Sequence, residues 1–175
     1  FSQAEHDERS QAILVSTSVD FLGEVQASIQ RLLPTMSRKD VIAASLAKNG
    51  AFISVDNMDE AIELVNRIAP EHLVMSVENP RNYLSNIQHA GSIFLGRHTP
   101  EVFGDYCAGP NHVLPTSGTA RFCSPLSVYD FQKRSSVLEC SIDGASQLAD
   151  LSFQLATSEG LDAHALSAKY RASKK

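Results

Sequence analysis

Four short apolar runs, Ala12 to Ser16, Ala51 to Val55, Leu73 to Val77 and Ser92 to Gly96, alternate with longer stretches of helical periodicity through the first half of the chain. That alternation limits the possible folds more than any other feature. The runs are too short for helices and are apolar at successive positions, so they read as strands buried on both faces. Between the first two, Val19, Leu22, Val25, Ile29, Leu32 and Leu33 recur at three- and four-residue steps, which predicts a helix from Val19 to Leu33 closed by Pro34. A second helix is expected over Lys39 to Lys48, with Ser37 as its N-cap and Asn49-Gly50 as a left-handed stop. Asn57 to Ile68 shows helical spacing, and Pro80 to Ile87 reads as a short helix with proline in its first turn. Strands separated by helices pair in parallel, because the chain must cross back before it can pair again. The expected fold class is therefore α/β: a mostly parallel sheet flanked by helices on both faces, an incomplete Rossmann-like arrangement.

Beyond Pro125 the rhythm is lost. Ser127 to Arg134 reads as one or two helical turns, Ser135 to Ser141 as a strand, and Asp143 to Ser158 and Leu161 to Ala172 as helices. A boundary near Leu126 divides an α/β domain, residues 1–126, from a tail of a short strand and helices, residues 127–175. A piece of that size buries little apolar surface by itself and is expected to pack on something else.

Composition narrows the function classes. Among 175 residues, 43% are hydrophobic and 20% charged, enough apolar mass for a core. The net charge of −5 is dispersed, and the single basic cluster is the tail of Lys169, Arg171, Lys174 and Lys175, which argues against a nucleic-acid surface. Three widely spaced cysteines, Cys107, Cys123 and Cys140, fit neither a disulfide framework nor a Cys-x-x-Cys metal site and point to a reducing, cytoplasmic setting. No apolar run approaches the roughly 20 residues that span a bilayer, so no membrane partner is expected. The chain opens on Phe1 and a polar cluster, as a piece of a longer protein does. Gly-x-Gly-x-x-Gly, Gly-x-x-x-x-Gly-Lys and Gly-x-Ser-x-Gly are all absent, so no phosphate cradle or nucleophile elbow is advertised.

Side chains able to do chemistry fall in four places, and each has a plainer reading. Gln3 and His6, three apart, can face one ion from a helical turn or simply form a polar helix start. Glu71 and His72 put an acid and an imidazole where a helix ends and a strand begins, as a general base beside a water-activating carboxylate or as a helix stop. Asp105 and His112 sit in Gly104 to Gly118, which with three glycines and two prolines is expected to be a shaped loop. A loop beyond the carboxyl end of a parallel strand is a favoured place for a ligand, although an Asx-turn and a packed loop histidine fit the same residues. Glu159 and His164 crowd a junction between helices where capping is the ordinary use.

Taken together, Ser-Gln-Ala-Glu-His-Asp, Ala-Pro-Glu-His-Leu, Gly-Asp-Tyr-Cys-Ala-Gly-Pro-Asn-His-Val-Leu-Pro-Thr, Asp-Phe-Gln-Lys-Arg and Glu-Gly-Leu-Asp-Ala-His resemble, in order, the signature blocks of the histidinol dehydrogenase family. The resemblance covers the carboxyl-terminal part of that family. It implies oxidation of L-histidinol to L-histidine by two hydride transfers to NAD through an enzyme-held aldehyde, in histidine biosynthesis. It implies that Gln3, His6, Asp105 and His164 are zinc ligands that also contact substrate, that Glu71 and His72 are the catalytic pair, and that His112 and Glu159 touch substrate. The NAD contacts would lie mainly in an upstream portion not contained in this chain. A homodimer in which each tail completes the other copy's site is also implied. Cys107-Ala108-Gly109-Pro110 departs from the family's Ala-Ser-Gly-Thr type, and no role is assigned to Cys107. The competing reading is a catalytically silent fragment or paralogue that keeps zinc or the dimer contact.

Overall fold

The computed structural model describes residues 1–172, so Lys174 and Lys175 of the basic tail lie outside the described residues. It divides into two units, Phe1–Asp130 and a second beginning at Phe131.

In the first unit, strand β1 (Ile13–Ser16) is followed by helices α1 (Val19–Leu32) and α2 (Lys39–Asn49), then by strand β2 (Ala51–Ser54). β1 and β2 pair in parallel with Ile13 opposite Ala51 and Ser16 opposite Ser54. Helix α3 (Met58–Ile68) leads to β3 (His72–Met75), a 3-10 segment over Pro80–Asn86 leads to β4 (Ser92–Leu95), and β3 and β4 also pair in parallel, His72 opposite Ser92. The α/β class and the parallel, helix-connected pairing are as the sequence predicts. The parallel pairing is distributed over two two-stranded sheets, and Phe52 and Val74 are exposed. Apolar runs mark where strands lie but carry no information about which edges meet.

Helix ends show where local rules hold. Ser18 accepts a hydrogen bond from Phe21 N at the start of α1. Asn57 Oδ1 accepts from Glu60 N, capping α3, while the Glu60 carboxylate accepts from Asp56 N, the residue before the cap. At α2 two expectations fail. The N-cap is Arg38, not Ser37, and it makes no side-chain cap bond; its Nε donates to Glu5 O at 2.8 Å instead. Gly50 is extended, with φ −75°, not left-handed. A Cβ there would meet Leu46 O at 2.6 Å, so close approach rather than handedness calls for glycine.

Two α2 side chains and that of its N-cap hold the polar opening of the chain in place. Besides Arg38, the fully buried Ser45 donates to Ser10 O at 2.8 Å, and Asn49 Nδ2 donates to Glu8 O at 3.2 Å. The opening residues form a turn closed by Glu5 N to Phe1 O, with Ala4 fully buried.

After β4, helix α4 (Glu101–Tyr106) contains Gly104, Asp105 and Tyr106. The expected loop from Gly104 to Gly118 is thus helical at its start, with Cys107 as C-cap. The rest does behave as a shaped loop: Gly109 and Gly118 have positive φ, and Asn111 Oδ1 accepts from Val113 N at 2.8 Å. The second unit holds α5 (Ile142–Ser158) and α6 (Asp162–Lys169), which pack on each other around Ala149 and Ala165. Ser141 caps α5 by accepting from Gly144 N. The strand expected at Ser135 to Ser141 does not form, and Val137 and Leu138 are exposed.

Candidate functional site

The chemistry of the first unit gathers around α4. Glu101 and Asp105 are four residues apart on this helix, so their side chains share a face. His6, from the opening turn, meets them: one ligand atom from each of His6, Glu101 and Asp105 lies within 4.8 Å of the other two. Ser2 Oγ donates to Glu101 Oε2 at 2.9 Å and ties the turn to the helix across 99 positions of sequence. Gln3 is half-buried in the same turn as His6. Asp7, next to His6, is committed elsewhere: hydrogen bonds from the Arg9 side chain and backbone hold its carboxyl below the usual carboxylate range.

The other side of Asp105 faces β3. His72 Nε2 lies 3.3 Å from Asp105 Oδ1, near enough for an ion pair when the imidazole carries its proton. The contact is not aligned as a hydrogen bond; neither ring nitrogen has a hydrogen-bond partner among the described residues, and both are sealed from solvent. A buried polar atom without a hydrogen bond is costly unless a ligand or partner supplies the bond.

Packing explains how His72 and Asp105 meet. The Phe94 ring of β4 lies 5.9 Å from the His72 ring, centroid to centroid, and Phe94 is buried. Gly104 sits against that same ring: a Cβ on it would come within 2.6 Å of Phe94 Cε1. Glycine in mid-helix weakens α4 but allows it to lie directly on Phe94, which brings Asp105 to His72. On the β3 side, α3 ends at Ala69 in the left-handed region, φ 52°, with its side chain fully buried. Gly91 N donates to Pro70 O and Ser92 N to Glu71 O, and a Cβ on Gly91 would collide with Glu71 O at 2.6 Å. The segment carrying Glu71 and His72 is therefore clamped by main-chain bonds on one side and a strained turn on the other.

Of the residues singled out by sequence, His6, Asp105 and His72 are brought together, and Glu71, half-buried, directly precedes β3. His112 is exposed in the loop after α4. Glu159 and His164 belong to the second unit, Glu159 as the C-cap of α5 and His164 within α6, both exposed. Glu101 was missed. The signal was its four-residue spacing to Asp105, which counts only if residues 101–106 are known to be helical; Gly104 between them argued the other way.

An imidazole with two carboxylates suits a borderline divalent ion such as zinc, and the chemistry of this donor set fits one. Among the described residues no glycine-rich strand-to-helix turn forms a dinucleotide cradle.

The family model described as histidinol dehydrogenase matches residues 1–172. A histidinol dehydrogenase of Pseudomonas fluorescens is 63% identical over 171 residues, covering 98% of this chain and 39% of that protein. One from Methylococcus capsulatus is 61% identical over the same length, again covering 39% of the relative. The crystal structure of histidinol dehydrogenase from Elizabethkingia anophelis superposes with a TM-score of 0.89 at 34% identity, covering 97% of this chain and 39% of that one. The chain therefore spans 39% of the length of these relatives.

Proposed function

The chain belongs to the histidinol dehydrogenase family, and from that premise we propose that it supplies the proton-transfer and metal-holding part of an enzyme that oxidises L-histidinol to L-histidine with NAD. The observation that carries this reading is the His72 imidazole, unpaired and sealed, 3.3 Å from a carboxylate that also belongs to the His6–Glu101–Asp105 group.

Each residue has a part that follows from its chemistry. His72 accepts the hydroxyl proton as the carbinol hydrogen leaves as hydride, and the anionic Asp105 beside it stabilises the imidazolium that results. Glu71 takes a proton from the water that adds to the aldehyde, making the hydrate from which the second hydride departs. His6 and Asp105, with Gln3 from the same turn and His164 from a second copy's tail, would hold zinc, which when bound orients the substrate as a template. NAD, held by protein outside this chain, accepts the two hydrides. His112 and Glu159 are proposed substrate contacts, and Glu159, like His164, acts across a homodimer. We place the boundary between the α/β domain and this exchanging tail near Leu126, and the enzyme in the cytoplasm; no described helix is long and apolar enough to cross a membrane.

The test uses the complete reading frame. Metal-replete protein should form NADH when given histidinol, lose that activity on chelation and recover it with zinc. His72→Asn should lower kcat by about 10²–10⁴-fold, the usual contribution of a positioned general base. Absence of histidinol-dependent NADH from the metal-replete protein defeats the proposal, and unchanged kcat in His72→Asn removes the assigned base.

A further inference from the structure

We infer that Glu101 is itself a metal-binding carboxylate, so that one protomer carries three ligands, His6, Glu101 and Asp105, able to capture a divalent cation by themselves. The inference deepens the function proposed above and rests on its metal site, but it concerns a residue to which neither the motif blocks nor the proposed ligand set assigns a part. Three observations carry it.

First, the donor atoms of His6, Glu101 and Asp105 fall within 4.8 Å of one another. Zinc bonds of about 2.0–2.2 Å at tetrahedral angles set ligand atoms about 3.4 Å apart, and side-chain rotation closes a gap of that size. Second, the carboxylates are not independent. Their four-residue spacing on α4 aims both the same way, and both are half-buried, so two carboxylates share a face. A cation relieves that repulsion. Third, Glu101 is already oriented. Ser2 Oγ bonds one carboxylate oxygen, Oε2, and the turn bearing Ser2 is held by Arg38 through Glu5 O. A hydrogen bond to one oxygen of a ligating carboxylate, with the other free for the ion, is the usual way an outer partner fixes a ligand.

The consequence is a division of labour. Three donors on one chain suffice for capture, and further donors, whether Gln3 or a residue of another copy, complete the coordination afterwards. Asp105 serves the ion and His72, while Glu101 serves the ion and the Ser2 hydroxyl. Replacing Glu101 should therefore weaken metal binding without altering the environment of His72.

The experiment measures zinc affinity of the metal-stripped, complete protein by competition with a chromophoric chelator. It is followed by cobalt substitution, whose visible absorption reports coordination. Glu101→Gln should lower zinc affinity at least tenfold and change the cobalt spectrum, with Glu101→Asp intermediate. Ser2→Ala should give a smaller loss in the same direction. Thermal unfolding of the stripped Glu101→Gln protein should match that of the stripped parent. Affinity and cobalt spectrum unchanged in Glu101→Gln, with Asp105→Asn strongly weakened, would overturn the inference. Should Glu101→Gln fail to fold, Glu101→Asp decides: lowered affinity supports the ligand and parental affinity refutes it. The outcome is separable from the proposed activity, because a parent that binds zinc through Glu101 yet makes no NADH from histidinol sinks only the latter, and a fully active enzyme indifferent to Glu101 sinks only the former.

Discussion

Replacing Gly104 by alanine tests the packing that joins His72 to Asp105. A Cβ on Gly104 would lie 2.6 Å from Phe94 Cε1 and 2.8 Å from Cζ, against the 3.4 Å at which ordinary contact begins, a shortfall of about 0.8 Å. Two responses can relieve it. Helix α4 can retreat, carrying Asp105 away from its 3.3 Å contact with His72, or the Phe94 ring can move toward the His72 ring, 5.9 Å away. Phe94 is only 8% exposed, so it has little free volume to move into without displacing His72. Overpacking of this kind costs about 1–3 kcal/mol, and alanine in mid-helix recovers about 1 kcal/mol, leaving a net loss of roughly 0–2 kcal/mol. Activity should suffer more than stability, because a 1 Å misplacement of a reacting group can cost about 10²-fold. The assay is steady-state NADH formation by the complete enzyme alongside urea unfolding, expecting a large fall in kcat and a small change in midpoint. Gly104→Ala combined with Phe94→Leu should recover part of kcat, since the smaller side chain makes room; such coupling is what contacting residues show. A Gly104→Ala enzyme that is more stable than the parent and turns over at the parental rate would refute the reasoning.

Two further expectations concern the elements that hold the site. Ser45→Ala leaves Ser10 O without its buried donor and should cost about 1–3 kcal/mol in urea unfolding, loosening the opening segment and with it His6. Ala69→Val places a β-branched residue at φ 52° in a fully buried position and should destabilise by at least about 2 kcal/mol, whereas Ala69→Gly, which relieves the backbone but loses a methyl group, should stay within about 1 kcal/mol of the parent by the same measurement.

The difference between what was legible in the chain and what was not follows the range of the forces involved. Apolar periodicity and caps act over a few residues, and they located β1, α1, β2, α3 and β4 to within a residue or two, including Asn57 as the cap of α3. Where a local rule was applied to a position governed by a distant contact, it failed. Ser37 is an ideal capping residue, yet Arg38 occupies the cap position while its side chain reaches back to Glu5 O. Asn49-Gly50 has the composition of a left-handed stop, but Gly50 is there because Leu46 O leaves no room for a side chain. Ser135 to Ser141 has strand composition but forms no strand.

The amino-acid sequence by itself determined the α/β class, the parallel pairing through crossover helices and, through its ordered motif blocks, the family. Its periodicities and motifs are local, and the residues quoted in those blocks include His6, Glu71, His72 and Asp105. Only the tertiary structure decided that the strands fall into two pairs, that Gly104 belongs to a helix pressed on Phe94, and that Glu101 joins His6 and Asp105. The physical reason is that these features depend on contacts between segments as far apart as Ser2 and Glu101, 99 positions along the chain, whose approach is set by packing and by hydrogen bonds to main-chain carbonyls that any residue type presents.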